Sequence, residues 1–225
     1  MRAIIFDLDG TIAETEENHR KAFNRAFAEA GLAWNWEQKI YKELLRIAGG
    51  KERISHYIKE YQPSFPLELA EALHRAKDSF YQQDLTSIKL RPGIREIFLA
   101  AQNDGVILAI ATTTRRANLL ALFKALEIDP TIFAIIACGE DCWAKKPAPD
   151  IYLKVLAELN LPSWAALAIE DSPIGLKASN AANIPTLVTP SFYTEGEDFT
   201  TALAVLPDLA QIDLEYLKTL HGDKV

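Results

Sequence analysis

Apolar runs at residues 3–6, 106–111, 132–138, 165–169 and 184–189 punctuate the chain, and the first four end in polar turns. Between them, apolar residues recur at three- and four-residue steps. Strands therefore alternate with helices, expected over about 93–103, 117–126, 150–159 and from Pro173 onward. That alternation predicts a parallel sheet covered on both faces. Residues 207–225 read as a short amphipathic helix ending in polar residues.

The first interval breaks the rhythm. Ala22, Phe23, Ala26, Phe27 and Ala30 mark one helix over 16–30, which Gly31 ends. Further helical stretches cover about 36–47, 51–60 and 66–83, with no strand pattern among them. The expected organisation is an α/β core made of residues 1–14 and 88–225, with an all-helical unit of four helices at 15–87. An insertion directly after the first strand belongs at the carboxyl end of the sheet, where open α/β sheets bind ligands. The insertion is therefore expected to act as a lid.

Composition narrows the function. A net charge of −7 and a pI near 5.2 argue against a broad basic face for nucleic acid. Two cysteines, Cys138 and Cys142, are too few for a disulfide framework or a zinc site, so both are expected to be reduced thiols. No signal core, transit segment or membrane-length run is evident. The expected location is the cytoplasm, or an organelle stroma after removal of a transit peptide. The absence of a long apolar patch suggests a monomer.

Candidate chemistry gathers at the strand ends. In Phe6-Asp7-Leu8-Asp9-Gly10-Thr11, Asp7 and Asp9 point to one side of an extended backbone and Leu8 to the other. Crowded carboxylates call for a cation or a shared proton, which suits a magnesium site or an aspartate nucleophile with an aspartate acid/base. Thr112-Thr113-Thr114 ends the next strand, and reads either as a phosphate-binding loop or as a polar cap on the following helix. Lys146, restrained by Pro147 and Pro149, could neutralise a phosphate or an aspartate, or could be a solvated surface lysine. In Glu170-Asp171-Ser172-Pro173, Ser172 and Pro173 suit a helix start, whereas the two acids suit a hard cation together with Asp7 and the Asp9 carbonyl.

Taken together, these strand ends resemble the haloacid dehalogenase superfamily of magnesium-dependent phosphatases and phosphomutases. The resemblance implies a Rossmann-like core, catalytic roles for Asp7, Asp9, Thr112 and Lys146, and a Mg2+ site formed by Asp7, Asp9, Glu170 and Asp171. It makes Asp7 the nucleophile, forming an aspartyl-phosphate, and Asp9 the acid/base. The helical block resembles that family's cap.

Residues 13–19, 47–53 and 74–77 are further similar to the CbbY-type branch, which is related to β-phosphoglucomutase and associated with dephosphorylating xylulose 1,5-bisphosphate. The resemblance implies substrate-binding roles for Thr15, Glu17 and His19 at the hinge, Gly50, Lys51, Arg53 and Lys77 in the cap, and Thr113 and Arg116 in the core. Independently of family, Lys51 and Arg53 follow a double glycine that opens a helix, which suits a second phosphate, or else they are a solubilising pair. The resemblance makes Thr15 and His19 candidates for restraining Asp9, whereas the residues alone allow His19 to be an exposed helix residue. His56, His74 and His221 read as helical surface, and Trp34 and Trp36 as cap packing. The expected partner is a small phosphorylated sugar, with neither nucleic acid nor membrane involved. A β-phosphoglucomutase-like mutase and a phosphatase of another small sugar phosphate are the alternatives. A non-catalytic module is disfavoured because every expected catalytic position is filled.

Overall fold

The computed structural model describes residues 1–222. The chain divides into two compact units, Met1–Glu14 with Ile88 onward, and Thr15–Ser87. It opens with β1 (Ala3–Phe6), and the second unit follows at once with α1 (Glu16–Glu29), α2 (Gln38–Leu44), α3 (Gly50–Tyr61) and α4 (Ala70–Gln83). A single 3-10 turn, Leu67–Leu69, leads into α4. The chain then returns to the first unit through α5 (Ile94–Asp104), β2 (Ile107–Ala111), α6 (Arg116–Ala125), β3 (Phe133–Ala137), α7 (Asp150–Leu159), β4 (Ala166–Glu170), α8 (Pro173–Ala181), β5 (Thr186–Val188), β6 (Ala204–Val205) and α9 (Leu214–Gly222).

All six strands run parallel in the order β3-β2-β1-β4-β5-β6. β1 lies in the middle, with Ala3–Phe6 in register with Ile107–Ile110 on one side and Ala166–Ile169 on the other. The chain goes from β1 to β2 on one side and from β4 to β5 on the other, so the sheet's switch point falls between the carboxyl ends of β1 and β4. The four residues of β1 are apolar and fully buried, as a strand covered on both faces requires. Ala3, Ile5, Ala109 and Ala168 pack with Ile151, Tyr152 and Val155 of α7. Small alanines on three strands let that helix approach the sheet closely.

The helical unit is held by an aromatic core. Trp36 is fully buried, and its ring lies 4.7 Å from Phe23, 4.9 Å from Phe27 and 5.3 Å from Tyr57. Trp34 reaches Phe27, Tyr57 and Phe65 at 4.7–5.4 Å. Each such side chain contributes on the order of 2–3 kcal/mol by leaving water.

Two helix boundaries and one additional strand differ from the sequence expectation. The helix expected over 36–47 is only Gln38–Leu44, because the Asn24 side chain pairs with both the N–H and the C=O of Trp36 and holds it in an irregular segment. β6 was not expected: at two residues it is too short to carry an alternation signal. The final helix starts at Leu214 rather than near Pro207, whose carbonyl is engaged by Arg91, and the last three residues of that expected helix lie outside the described residues. Among the described residues no helix is long and apolar enough to cross a membrane.

Candidate active site

Asp7 directly follows β1, and its N–H donates to Ile169 O across to β4 (3.0 Å). Asp7 and Leu8 are buried, while Asp9 is partly exposed. Glu170 ends β4 and Asp171 follows. Asp7, Glu170 and Asp171 each offer a carboxylate oxygen, and these lie within 4.8 Å of one another. Gly10 closes the turn after Asp9 at φ +84°, where a β-carbon would collide with the Asp171 carboxylate. The turn needs a glycine for both backbone angle and space.

Lys146 is buried at the centre of this cluster, not solvated. Its Nζ donates to Asp7 Oδ1 and to Glu170 Oε1, both at 2.6 Å. It precedes a cis peptide to Pro147 on the loop between β3 and α7. Glu170 Oε1 also accepts from the Tyr152 hydroxyl at 2.6 Å, and Glu170 Oε2 accepts the Asp171 N–H at 3.2 Å. Burial above all, partly opposed by Lys146 and aided by Glu170 and Asp9, pushes the Asp7 carboxyl up to about 8. Burial alone would lower the Lys146 ammonium, but Asp7 and Glu170 more than offset this and hold it above the usual lysine range. The lysine therefore stays charged, and the surplus negative charge calls for a further cation.

That cation fits magnesium. The donors are hard carboxylate oxygens with no imidazole or thiolate among them. Asp9 is not part of the carboxylate cluster, which leaves its backbone carbonyl as the contribution expected from the sequence.

Thr112 is buried at the end of β2, and its Oγ1 accepts the Thr114 N–H at 3.1 Å. Thr113 is half-buried between them. The Thr114 hydroxyl donates to Asp9 Oδ2, which ties the second strand end to the first. Arg116 is largely exposed; it donates to Asp141 Oδ2 at 2.6 Å and to Ile136 O at 3.0 Å, bracing the loop after β3. At the start of α8, Ser172 Oγ accepts the Gly175 N–H at 3.2 Å, with Pro173 in the first turn, as the sequence predicted.

Within the helical unit, the expected residues separate into different situations. Thr15 and His19 are buried, and His19 stacks on Tyr81 at 3.9 Å; the exposed-helix alternative for His19 is corrected. Glu17 is bonded to Arg20 at 2.6 and 2.9 Å. Gly50 opens α3 against His74, where a side chain would strike the imidazole. Lys51 is half-exposed, 3.2 Å from Glu71. Arg53 is buried and donates to Leu44 O, Ile47 O and the Tyr41 hydroxyl at 3.0–3.3 Å, so the solubilising pair does not exist. Lys77 is buried, 3.3 Å from Asp78 and over the rings of Phe23 and Tyr81. His74 and His221 are also buried rather than on the helical surface: His74 lies 3.7 Å from Asp78, and α9 turns His221 inward.

Two residues escaped the sequence reading. Tyr152 looked like one more apolar position of α7. Arg91, between Leu90 and Pro92, belongs to no motif, yet it is buried and donates to the carbonyls of Gly10, Thr189, Pro190 and Pro207.

A parallel α/β sheet with a helical insertion after its first strand, and a lysine set among strand-end carboxylates, defines a haloacid dehalogenase-type phosphoric monoester hydrolase. The chain belongs to this family, in its CbbY-type branch: the haloacid dehalogenase-like hydrolase profile matches residues 4–189. Protein CbbY of Rhodobacter capsulatus is 47% identical over 215 residues, covering 93% of this chain and 94% of its own. The crystal structure of CbbY from Rhodobacter sphaeroides in complex with phosphate superposes with a TM-score of 0.91 at 41% identity, over 97% of this chain and 99% of that one. A mutant of the same protein, solved in complex with xylulose-(1,5)bisphosphate, matches with the same TM-score and identity over 96% and 99%.

Proposed function

We propose that this chain is a magnesium-dependent phosphatase of sugar bisphosphates, with xylulose 1,5-bisphosphate as its substrate, acting through an aspartyl-phosphate on Asp7. The observation that carries the reading is the Asp7 carboxylate held 2.6 Å from Lys146 beside Glu170 and Asp171 at the sheet's switch point. It is supported by the solved CbbY relative that holds this bisphosphate. Residues 1–14 and 88–225 are the catalytic core in this reading, and 15–87 the cap.

Asp7 attacks phosphorus, the bond from phosphorus to the sugar oxygen breaks, and Asp9 delivers its proton to that oxygen. Asp9 then takes a proton from water as the water attacks the aspartyl-phosphate, which frees inorganic phosphate and restores Asp7. The Thr112 hydroxyl and Thr113 N–H orient the transferring group, and Lys146 balances the charge on its oxygens. Asp7, Glu170, Asp171 and the Asp9 carbonyl would hold Mg2+, which supplies positive charge where two anions must meet. Thr114 holds Asp9 in the core, while Thr15, Glu17 and His19 form the hinge side of the substrate site. By the resemblance, Gly50, Lys51 and Lys77 are the residues assigned to the second phosphate; Lys51 is half-exposed beside Glu71 and Lys77 is buried beside Asp78. Arg53 contributes by bracing the start of α3, and Arg116 by bracing the loop after β3.

The test is a phosphate-release panel on sugar mono- and bisphosphates with and without Mg2+. Fast, Mg2+-dependent release from xylulose 1,5-bisphosphate is expected. Conversion of β-glucose 1-phosphate to the 6-phosphate without net release would overturn the reading in favour of a mutase.

A further inference from the structure

We propose that Tyr152 is a positioning residue of the phosphoryl-transfer site, its hydroxyl fixing the Glu170 carboxylate and its ring seating the Lys146 ammonium. The inference rests on the reading of Asp7, Glu170 and Asp171 as a magnesium-dependent site.

Tyr152 lies on the buried face of α7 beside Ile151 and Val155, among the alanines of the sheet. Packing alone would be served by a phenylalanine. A buried phenol needs a hydrogen-bond acceptor, and this one takes Glu170 Oε1 at 2.6 Å. The same oxygen accepts from Lys146 at 2.6 Å, and the Lys146 Nζ sits 5.1 Å from the centre of the Tyr152 ring. A ring face and a carboxylate oxygen thus hold the ammonium from two sides, and its remaining reach goes to Asp7.

Glu170 is held just as tightly. Oε1 takes two donors, Oε2 takes the Asp171 N–H, and Gly175 leaves no side chain in the space that Oε2 occupies. Without the phenol, Glu170 loses one of two donors on Oε1 and can turn about its terminal bond. Lys146 is then the one remaining donor on Oε1, with the Asp171 N–H on Oε2 as the other restraint. Residues that orient metal-binding groups cost roughly tenfold or more in affinity or activity when removed.

The test is Tyr152→Phe, which keeps the ring and loses the hydroxyl. Calorimetric titration of the substrate-free protein with MgCl2 is expected to show Mg2+ affinity reduced about tenfold. Phosphate release should show kcat reduced to a similar degree, with KM for the sugar bisphosphate within twofold. In a Glu170→Gln background the same substitution should leave Mg2+ affinity unchanged. A purely structural role moves the melting temperature and not the Mg2+ titration, so a Tyr152→Phe affinity within twofold of wild type overturns the proposal. If wild type itself shows no Mg2+ binding, the site reading falls and this inference with it; wild-type binding with an unaffected variant sinks the inference alone. Should the variant fail to fold, wild type labelled with [13Cζ]tyrosine gives the answer. The Tyr152 signal is expected to shift with the calorimetric Mg2+ midpoint, and an unmoved signal overturns the proposal.

Discussion

Lys146 Nζ lies 2.6 Å from Asp7 Oδ1, joining two residues 139 positions apart in the chain. The same ammonium contacts Glu170 at 2.6 Å. A single ammonium therefore holds the ends of two neighbouring strands together, at the place where the proposed chemistry calls for a nucleophilic carboxylate.

Removing that cation is expected to harm catalysis and stability together. Lys146→Met leaves two buried carboxylates facing each other without an ammonium, and breaking a buried pair costs about 3–5 kcal/mol. Lost charge stabilisation should lower kcat by roughly 10²–10³-fold. Urea unfolding and phosphate-release kinetics on the same sample measure both, and a stable variant with kcat within threefold of wild type would contradict the assignment.

The raised Asp7 value makes stability depend on pH. A carboxyl whose folded value is above its unfolded one stabilises the fold below about pH 4, and loses that contribution as pH rises toward about 8. The metal-free protein should therefore melt at progressively lower temperature between pH 5 and pH 8. Asp7→Asn, which cannot ionise, should flatten that dependence while abolishing turnover. Mg2+ binds the ionised form, so its stabilising effect should grow over the same interval and be accompanied by proton release. Thermal melts across this pH range in buffers of equal ionic strength test the point, and a wild-type curve parallel to that of Asp7→Asn refutes it.

Thr114 offers a sharper probe of Asp9. Thr114→Val removes the hydroxyl that donates to Asp9 Oδ2 while keeping the branched shape. We expect kcat to fall roughly ten- to a hundredfold with KM little changed, since loss of one hydrogen bond to a charged group is worth roughly 1.5–3 kcal/mol. Steady-state kinetics on the bisphosphate decide it, and a selective rise in KM would instead place Thr114 in substrate binding.

Arg91 is the structural counterpart. Arg91→Ala strips donors from four carbonyls, those of Gly10, Thr189, Pro190 and Pro207. Each unsatisfied buried group costs about 1–3 kcal/mol when water cannot replace the donor. Arg91 is largely buried, and loss of at least about 2 kcal/mol in chemical denaturation is expected. Weaker Mg2+ binding should accompany it, because the Gly10 turn sits against Asp171. Wild-type stability would show that Arg91 is not a strut.

Strand and helix periods carried most of the fold in the sequence, because burial on both faces demands continuous apolar runs such as 3–6 and 166–169. The placing of Asp7, Lys146, Glu170 and Asp171 in one cluster was legible for a related reason. Each immediately follows or ends an apolar run, or lies on a proline-stiffened loop, and these signals are local. The Tyr41–Arg53 hydrogen bond left no such trace, and neither did the contacts of Tyr152 and Arg91. A buried arginine in the helical unit reads in sequence like any cationic helix residue, and a buried tyrosine in α7 like any core position.

By itself, the sequence determined which residues could form a strand, end one in carboxylates or open a helix, since those depend on neighbours a few positions away. The tertiary structure alone decided that Lys146 divides its hydrogen bonds between Asp7 Oδ1 and Glu170 Oε1, that Tyr152 donates to that same Glu170 oxygen, and that Arg53 spends its charge inside its own helical unit. Those outcomes depend on distances between segments far apart in the chain and on the exclusion of water around them. No local pattern encodes either one.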